Sequence, residues 1–230
     1  MSKVIGVLGG MGPMATLDMV KKIIENTPVQ QEHDHLRMLI YNNPKIPSRI
    51  DALKPGHESP VPEMIRTAIT LEQAGADFIV IPCHSAHYWL DEISASISIP
   101  IYSIIECTVE HIITQTKGRS EQILLLATET TIRSGLYQRA FEKTSVQLII
   151  PDIDQQTLVN QIIHEVKTKH RPTLSTIESV REMIAGYQIT NVLGGCTEIP
   201  LLFPPFEKEF TFIDPTLLLA KKTVRLALQK

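Results

Sequence analysis

Two short apolar runs in this chain each deliver a cysteine, and that repetition limits the possible folds to a small set. In the segment Asp77 to His87, Phe78 to Ile81 is apolar, rich in β-branched side chains and bounded by Gly75 and Pro82. The run is too short for a helix and reads as a strand buried on both faces. Cys83 stands just past its end, with His84 and His87 within four residues. Ligand sites in open α/β sheets lie outside the carboxyl ends of strands, so this thiol is placed for chemistry. A free cysteine is otherwise among the most buried residue types, and packing alone would account for a single one. A second copy argues against that: Asn191 to Gly195 leads into Cys196 and Thr197, again apolar residues, a cysteine and a small hydroxyl side chain.

Other elements fall into the same alternation of strand and helix. Lys3 to Leu8 reads as a strand, followed by Gly9-Gly10-Met11-Gly12 and a helix opened by Pro13 with Leu17, Val20, Ile23 and Ile24 on one face. This glycine turn lacks both the G-x-G-x-x-G spacing and a Gly-Lys-Ser/Thr ending, so it is not a nucleotide loop. Its backbone N–H groups suit a carboxylate. Leu36 to Tyr41 is the second strand, leaving into a loop of Asn42, Asn43, Pro44, Pro47 and Arg49 whose polar groups are candidates for ligand contact. A helix opens at Ser59-Pro60 and closes at Gly75; Tyr88 to Ile97 is helical, and Ile99 to Ile104 is a strand. The next helix carries Ile105, Val109 and Ile112, with Cys107 as packing. Strands at Ile123–Ala127, Val146–Ile150 and Phe210–Ile213 alternate with helices around Leu136–Phe141, Leu158–Lys167 and Ile177–Gly186, and a last helix is capped by Asp214.

The two halves repeat. Lys3–Gly12 matches Glu121–Thr130, Ile79–Cys83 matches Val192–Cys196, and Ile99–Ser103 matches Thr211–Pro215, at offsets of 118, 113 and 112 residues. The expected fold is therefore α/β, with two similar parallel-sheet domains related by pseudo-two-fold symmetry and an active site in the cleft between them. Residues 1–103 with 214–230 form the first domain and 104–213 the second, the C-terminal helix returning to the first.

Several function classes are excluded. Basic residues are scattered singly and aromatics make up 5%, which gives neither a phosphate-tracking stripe nor a base-stacking platform for nucleic acid. No apolar run reaches the ~20 residues that span a bilayer, and the Met-Ser-Lys start lacks the apolar core of a signal peptide, so a cytoplasmic protein is expected. Three cysteines fit free thiols in a reducing compartment. Cys83, His84 and His87 offer metal-ligand chemistry at close spacing, but no fourth ligand with matching local spacing accompanies them, and no metal site is expected.

Two acid/base groups on opposite sides of one carbon are what stereoinversion by proton transfer requires. A thiol suits the task, since its ordinary pKa of about 8.5 falls further at a helix N-terminus or beside an imidazolium. His84 or His87 is expected to act so on Cys83, and Glu198 to hold the second thiol protonated or to orient a partner. Both cysteines follow strands and are expected to precede helices, each at a positive dipole end.

Gly9-Gly10-Met11-Gly12-Pro13 with Ala15-Thr16, Asn42 to Pro47 with Arg49, Pro82-Cys83 with Ala86-His87, Gly195-Cys196-Thr197-Glu198 through Leu202, and Phe212 to Thr216 together resemble the aspartate/glutamate racemase family, in its aspartate racemase branch. The resemblance implies a cofactor-independent, two-domain amino-acid racemase acting on a dicarboxylic amino acid, commonly as a homodimer. It implies Cys83 and Cys196 as paired acid/base residues and Arg49 and Lys167 as carboxylate binders. The substrate pocket would be completed at Met11, His84, Ser85, Thr128 and Thr197. His84 stands where the family usually has asparagine, Thr130 where glycine is common, and Gly9-Gly10 replaces the Asp-Ser pair of the cell-wall glutamate racemase branch. A broad-specificity racemase and a non-catalytic dicarboxylic amino-acid binding protein are the alternatives.

Overall fold

The computed structural model describes residues 2–169, 172–202 and 208–229. Two compact units divide the chain: Met1–Cys107 with Thr216–Lys230, and Thr108–Pro215. Each holds a four-stranded, all-parallel sheet.

In the first unit, β1 (Ile5–Gly9), β2 (Met38–Asn42), β3 (Phe78–Val80) and β4 (Ile101–Tyr102) lie in the order β2-β1-β3-β4. β1 and β3 are buried at every position, as central strands covered on both faces must be. Asp77 ties their starts together: its backbone N–H donates to the Val4 carbonyl, and the Val4 N–H donates to the Asp77 carboxylate at 2.6 Å. Helices α1 (Pro13–Asn26), α2 (Val61–Gln73), α3 (Leu90–Ser94) and α4 (Ile104–Thr116) follow the four strands in turn. Pro13 occupies the first position of α1, where its missing N–H costs nothing. Gly75, with φ of +97°, turns the chain out of α2 into β3.

The second unit repeats this plan. β5 (Glu121–Leu126), β6 (Val146–Ile149), β7 (Asn191–Gly194) and β8 (Thr211–Ile213) lie in the order β6-β5-β7-β8. The connecting helices are α5 (Glu129–Arg133), α6 (Leu136–Phe141), α7 (Ile153–Lys169) and α8 (Leu174–Gly186). After β8, helix α9 (Pro215–Leu228) belongs to the first unit, where its Ala227 carbonyl accepts from the Lys3 N–H at 2.9 Å. None of the described helices is long and apolar enough to cross a membrane.

Three local expectations are corrected. The buried face of α1 is Ala15, Thr16, Met19 and Ile23, while Leu17 and Ile24 are exposed at 60% and 42%. The reason is close approach: the Thr16 hydroxyl accepts from the Gly10 N–H at 2.9 Å and donates to the Gly12 carbonyl at 3.0 Å. A Cβ on Gly9 would lie 2.4 Å from the Thr16 methyl, so the small-residue face presses on β1. The strand expected over Ile99–Ile104 pairs only at Ile101–Tyr102, because α4 begins at Ile104. Finally, the residues after each cysteine wind as 3-10 turns, Ser85–Trp89 and Pro200–Leu202, so neither thiol heads an α-helix dipole.

Candidate active site

Both sheets reverse their strand order at the same place. After β1 the chain goes outward to β2 and then returns to pair β3 on the other side of β1; β5, β6 and β7 repeat the move. The crevice at such a switch point, beyond the carboxyl ends of the strands, is where open α/β sheets bind ligands. In the first unit Val7 pairs Val80, and the chains past that rung carry the Gly9–Gly12 turn and Cys83. In the second, Leu126 pairs Gly194, and Thr128 and Cys196 each stand two residues beyond the rung. Equivalent strands thus deliver the two thiols to equivalent positions within their own units.

The strand ends of the first unit gather around Cys83. Its sulfur lies 3.6 Å from the Ser85 hydroxyl, and it packs in one cluster with Leu8, Met11, Ile46 and Ala86. Gly10 adopts φ of +98°, and a Cβ there would meet the Asn43 backbone at 2.3 Å, so only glycine permits this turn to close against the second loop. Asn43 is structural rather than a ligand contact: its amide donates to Glu63 at 2.9 Å and Thr67 at 3.3 Å, and its carbonyl oxygen accepts from the Lys45 N–H. Arg49 is held by its Nη1, which donates to the Ile46 and Pro47 carbonyls at 3.1 and 2.8 Å. Its buried Nε has no acceptor among the described residues.

The two histidines behave differently from expectation. His87 Nδ1 lies 2.8 Å from the Cys83 carbonyl, while Nε2 accepts from the Ile104 N–H at 3.2 Å. This pairing fixes the neutral tautomer with the proton on Nδ1, ties the Cys83 loop to the start of α4, and leaves no nitrogen for a metal. Burial holds His87 at a pKa of about 4. Burial, and next the His87 ring, hold His84 at about 3. Neither is an imidazolium near neutral pH, so the expected cationic help for Cys83 is absent.

The second unit collects Cys196, Thr197, Glu198 and Lys167. The Cys196 thiol donates to Glu198 Oε2 at 2.9 Å, the Thr197 hydroxyl donates to the same oxygen at 3.5 Å, and Lys167 Nζ lies 3.9 Å from it. Glu198 is 2% exposed. Burial first, and the Glu198 charge second, push the Cys196 thiol well above its ordinary range, with Lys167 opposing. Thr128 is buried and spends its hydroxyl capping α5, accepting from the Thr131 N–H at 3.3 Å. A Cβ on Gly195 would lie 2.6 Å from Leu125, so the residue before Cys196 must be glycine for β7 to turn over β5.

The model of the Asp/Glu/Hydantoin racemase family matches residues 8–223, nearly the whole of both units. The chain belongs to this family. A broad specificity amino-acid racemase of Bacillus subtilis is 30% identical over 227 residues, covering 96% of each chain. Among solved structures, the Picrophilus torridus aspartate racemase superposes with a TM-score of 0.84 at 30% identity, over 97% of this chain and 94% of that one. An aspartate racemase homologue from Pyrococcus horikoshii follows at 0.74 and 25%, covering 100% of both. The chain is thus an isomerase, an amino-acid racemase of the Asp/Glu racemase family with the two-sheet α/β fold of its relatives. Two features of this racemase went beyond the sequence reading. The His87 bridge has no signal in a linear pattern, because its partner Ile104 is seventeen residues away. The sequence reading had Glu198 acting on the Cys196 thiol, but not the sharing of the same carboxylate oxygen with the Thr197 hydroxyl and the Lys167 ammonium.

Proposed function

We propose that this racemase interconverts L- and D-aspartate without a cofactor, Cys83 and Cys196 addressing opposite faces of the α-carbon. One thiolate removes the α-proton; the other thiol returns a proton to the opposite face. Glutamate is the next candidate substrate, and broader specificity is the second reading, favoured by the likeness to the Bacillus subtilis protein. Binding without catalysis is disfavoured, since both thiols are retained at equivalent strand ends. The observation that carries the proposal is the chemistry of the two half-sites: one buried thiol each, and one cation each, Arg49, whose buried Nε has no acceptor among the described residues, and Lys167, 3.9 Å from the Glu198 carboxylate that the second thiol bonds. Two cations suit a substrate with two carboxylates. Carboxylate charge held in this way also takes up part of the charge of a forming carbanion. Met11, His84, Ser85, Thr128 and Thr197 complete the proposed pocket, His84 as a neutral hydrogen-bonding ring.

The proposed domains are residues 1–103 with 214–230, which carries Cys83, and 104–213, which carries Cys196 together with Cys107. The proposed assembly is a homodimer in a reducing cytoplasm, and light scattering is expected to give about twice the chain mass of 25.8 kDa. Chiral chromatography after incubation with each L-amino acid tests the substrate: D-aspartate should form fastest, and its absence contradicts the assignment. Arg49→Ala and Lys167→Ala should each raise KM for aspartate roughly tenfold or more, the worth of a charge-assisted hydrogen bond. Unchanged kinetics in either variant removes that residue from the pocket.

A further inference from the structure

The Cys196 half-site contains a buried charge that the two-thiol reaction does not itself call for. Glu198 transfers no proton to substrate in the reading above, yet its carboxylate is 2% exposed and only 2.9 Å from the catalytic sulfur. Burying a carboxylate is costly unless it is matched, and its matches are the Cys196 thiol, the Thr197 hydroxyl and the Lys167 ammonium. A thiolate in place of that thiol would remove the donor and set two anions in contact. The other charged group acting on the sulfur is Lys167, reaching in from α7, and it is nearer to the carboxylate's side of the balance, being 3.9 Å from Glu198 Oε2. Cys196 also belongs to an apolar cluster that includes Leu126, Val166, Ile199 and Leu202.

We propose that Glu198 is a positioning residue that keeps Cys196 as the thiol in the resting enzyme and aims its proton, which makes Cys196 the resting acid and Cys83 the resting base. The inference rests on the two-thiol reading and deepens it. In the forward step the Cys83 sulfur forms a bond to the α-proton, and the C–H electron pair stays on carbon. That pair then takes the proton from Cys196; the S–H bond breaks and its electrons remain on sulfur. Glu198 neither gains nor loses a proton. The reverse direction starts from the less stable form, with Cys196 as thiolate beside the carboxylate. That form carries the same number of protons, so kcat/KM stays equal for the two enantiomers at every pH, and the difference between the forms falls on the separate kcat and KM values.

The test uses the full chain with Cys83→Ser and Cys107→Ser, which leaves Cys196 as its only cysteine, and follows thiolate absorbance in the ultraviolet against pH. Glu198→Gln, of the same shape without the charge, should lower the titration midpoint by about one pH unit or more, a tenfold rise in thiolate fraction. Glu198→Asp, which keeps the charge, should restore most of the original midpoint, and Lys167→Met should move it upward. A loss of local structure would not shift the midpoint in opposite directions. An unmoved midpoint in Glu198→Gln, or identical midpoints in Glu198→Gln and Glu198→Asp, overturns the proposal. This readout needs no turnover, so its failure is separate from failure of the racemase reading, which the unaltered enzyme and aspartate decide.

Discussion

Cys83→Ser and Cys196→Ser are each expected to reduce racemisation of aspartate by 10³-fold or more, with the fold intact. The size follows from the chemistry: positioned acid/base groups typically contribute about 10²–10⁴ in rate, and each passage from one enantiomer to the other uses both groups in succession. Serine keeps the small polar shape but not the acidity, so neither half of the relay has a substitute. The two losses should not add, because a reaction missing either partner is already stopped. Each variant keeps one thiol and should still exchange the α-proton of the enantiomer that presents it to that thiol. Cys107→Ser is the control. Its thiol is buried at the start of α4, and the variant should retain turnover. Chiral assay of D-aspartate from the three variants checks this, and full activity in either of the first two removes that cysteine from the mechanism.

A second large effect concerns pH and stability. His84 and His87 are buried and neutral, with pKa values of about 3 and 4 against an ordinary value near 6.5. Below pH 6.5 the unfolded chain takes up protons on these rings while the native protein does not. Stability is therefore fully present above 6.5 and declines as pH falls, continuing until the native values are reached. Between pH 6.5 and 5 each ring should cost roughly 2 kcal/mol, a large part of the ~5–15 kcal/mol that holds a typical domain together. The carboxylates held low by hydrogen bonds, such as Glu72 beside Ser98 and Glu165 beside Thr173, act in the same direction but at lower pH. Urea unfolding at pH 6.5 and at pH 5 isolates the histidines. The native chain should lose stability over that interval, and the doubly substituted His84→Asn, His87→Gln chain should lose much less. Equal slopes in both would mean that the rings are protonated in the folded state.

How far the fold could be read from the chain depends on which physical signal each part carries. Buried strands such as Phe78–Val80 and Val192–Leu193 announce themselves as short β-branched runs bounded by glycine or proline, and their repetition points to two parallel α/β sheets. Periodicity alone failed for α1. Leu17, Val20, Ile23 and Ile24 make an apolar stripe of which Ile23 alone is buried, because the packing face was decided by a glycine approach and a threonine hydrogen bond, which hydrophobicity does not register. The expected helices after the thiols became 3-10 turns, and β4 shortened to two residues for want of sequence marking where pairing stops. Of the candidate site, the strand-end placement of both thiols was legible. Charge state was not: two histidines beside a cysteine suggest a cation, and only their depth in the fold makes them neutral.

The central claim is that two different thiols act on the two faces of one α-carbon, and isotope tracing at low conversion reads this directly. L-aspartate is incubated with the native protein in D₂O, the reaction is stopped after a few per cent conversion, and the enantiomers are separated and weighed by mass spectrometry. The account predicts deuterium at Cα of the newly formed D-aspartate, with the remaining L-aspartate still almost wholly protonated, because the group that removes the proton is not the one that supplies the new one. Deuterium appearing equally in both enantiomers from the start would mean that one group serves both faces, and the two-thiol account would be wrong.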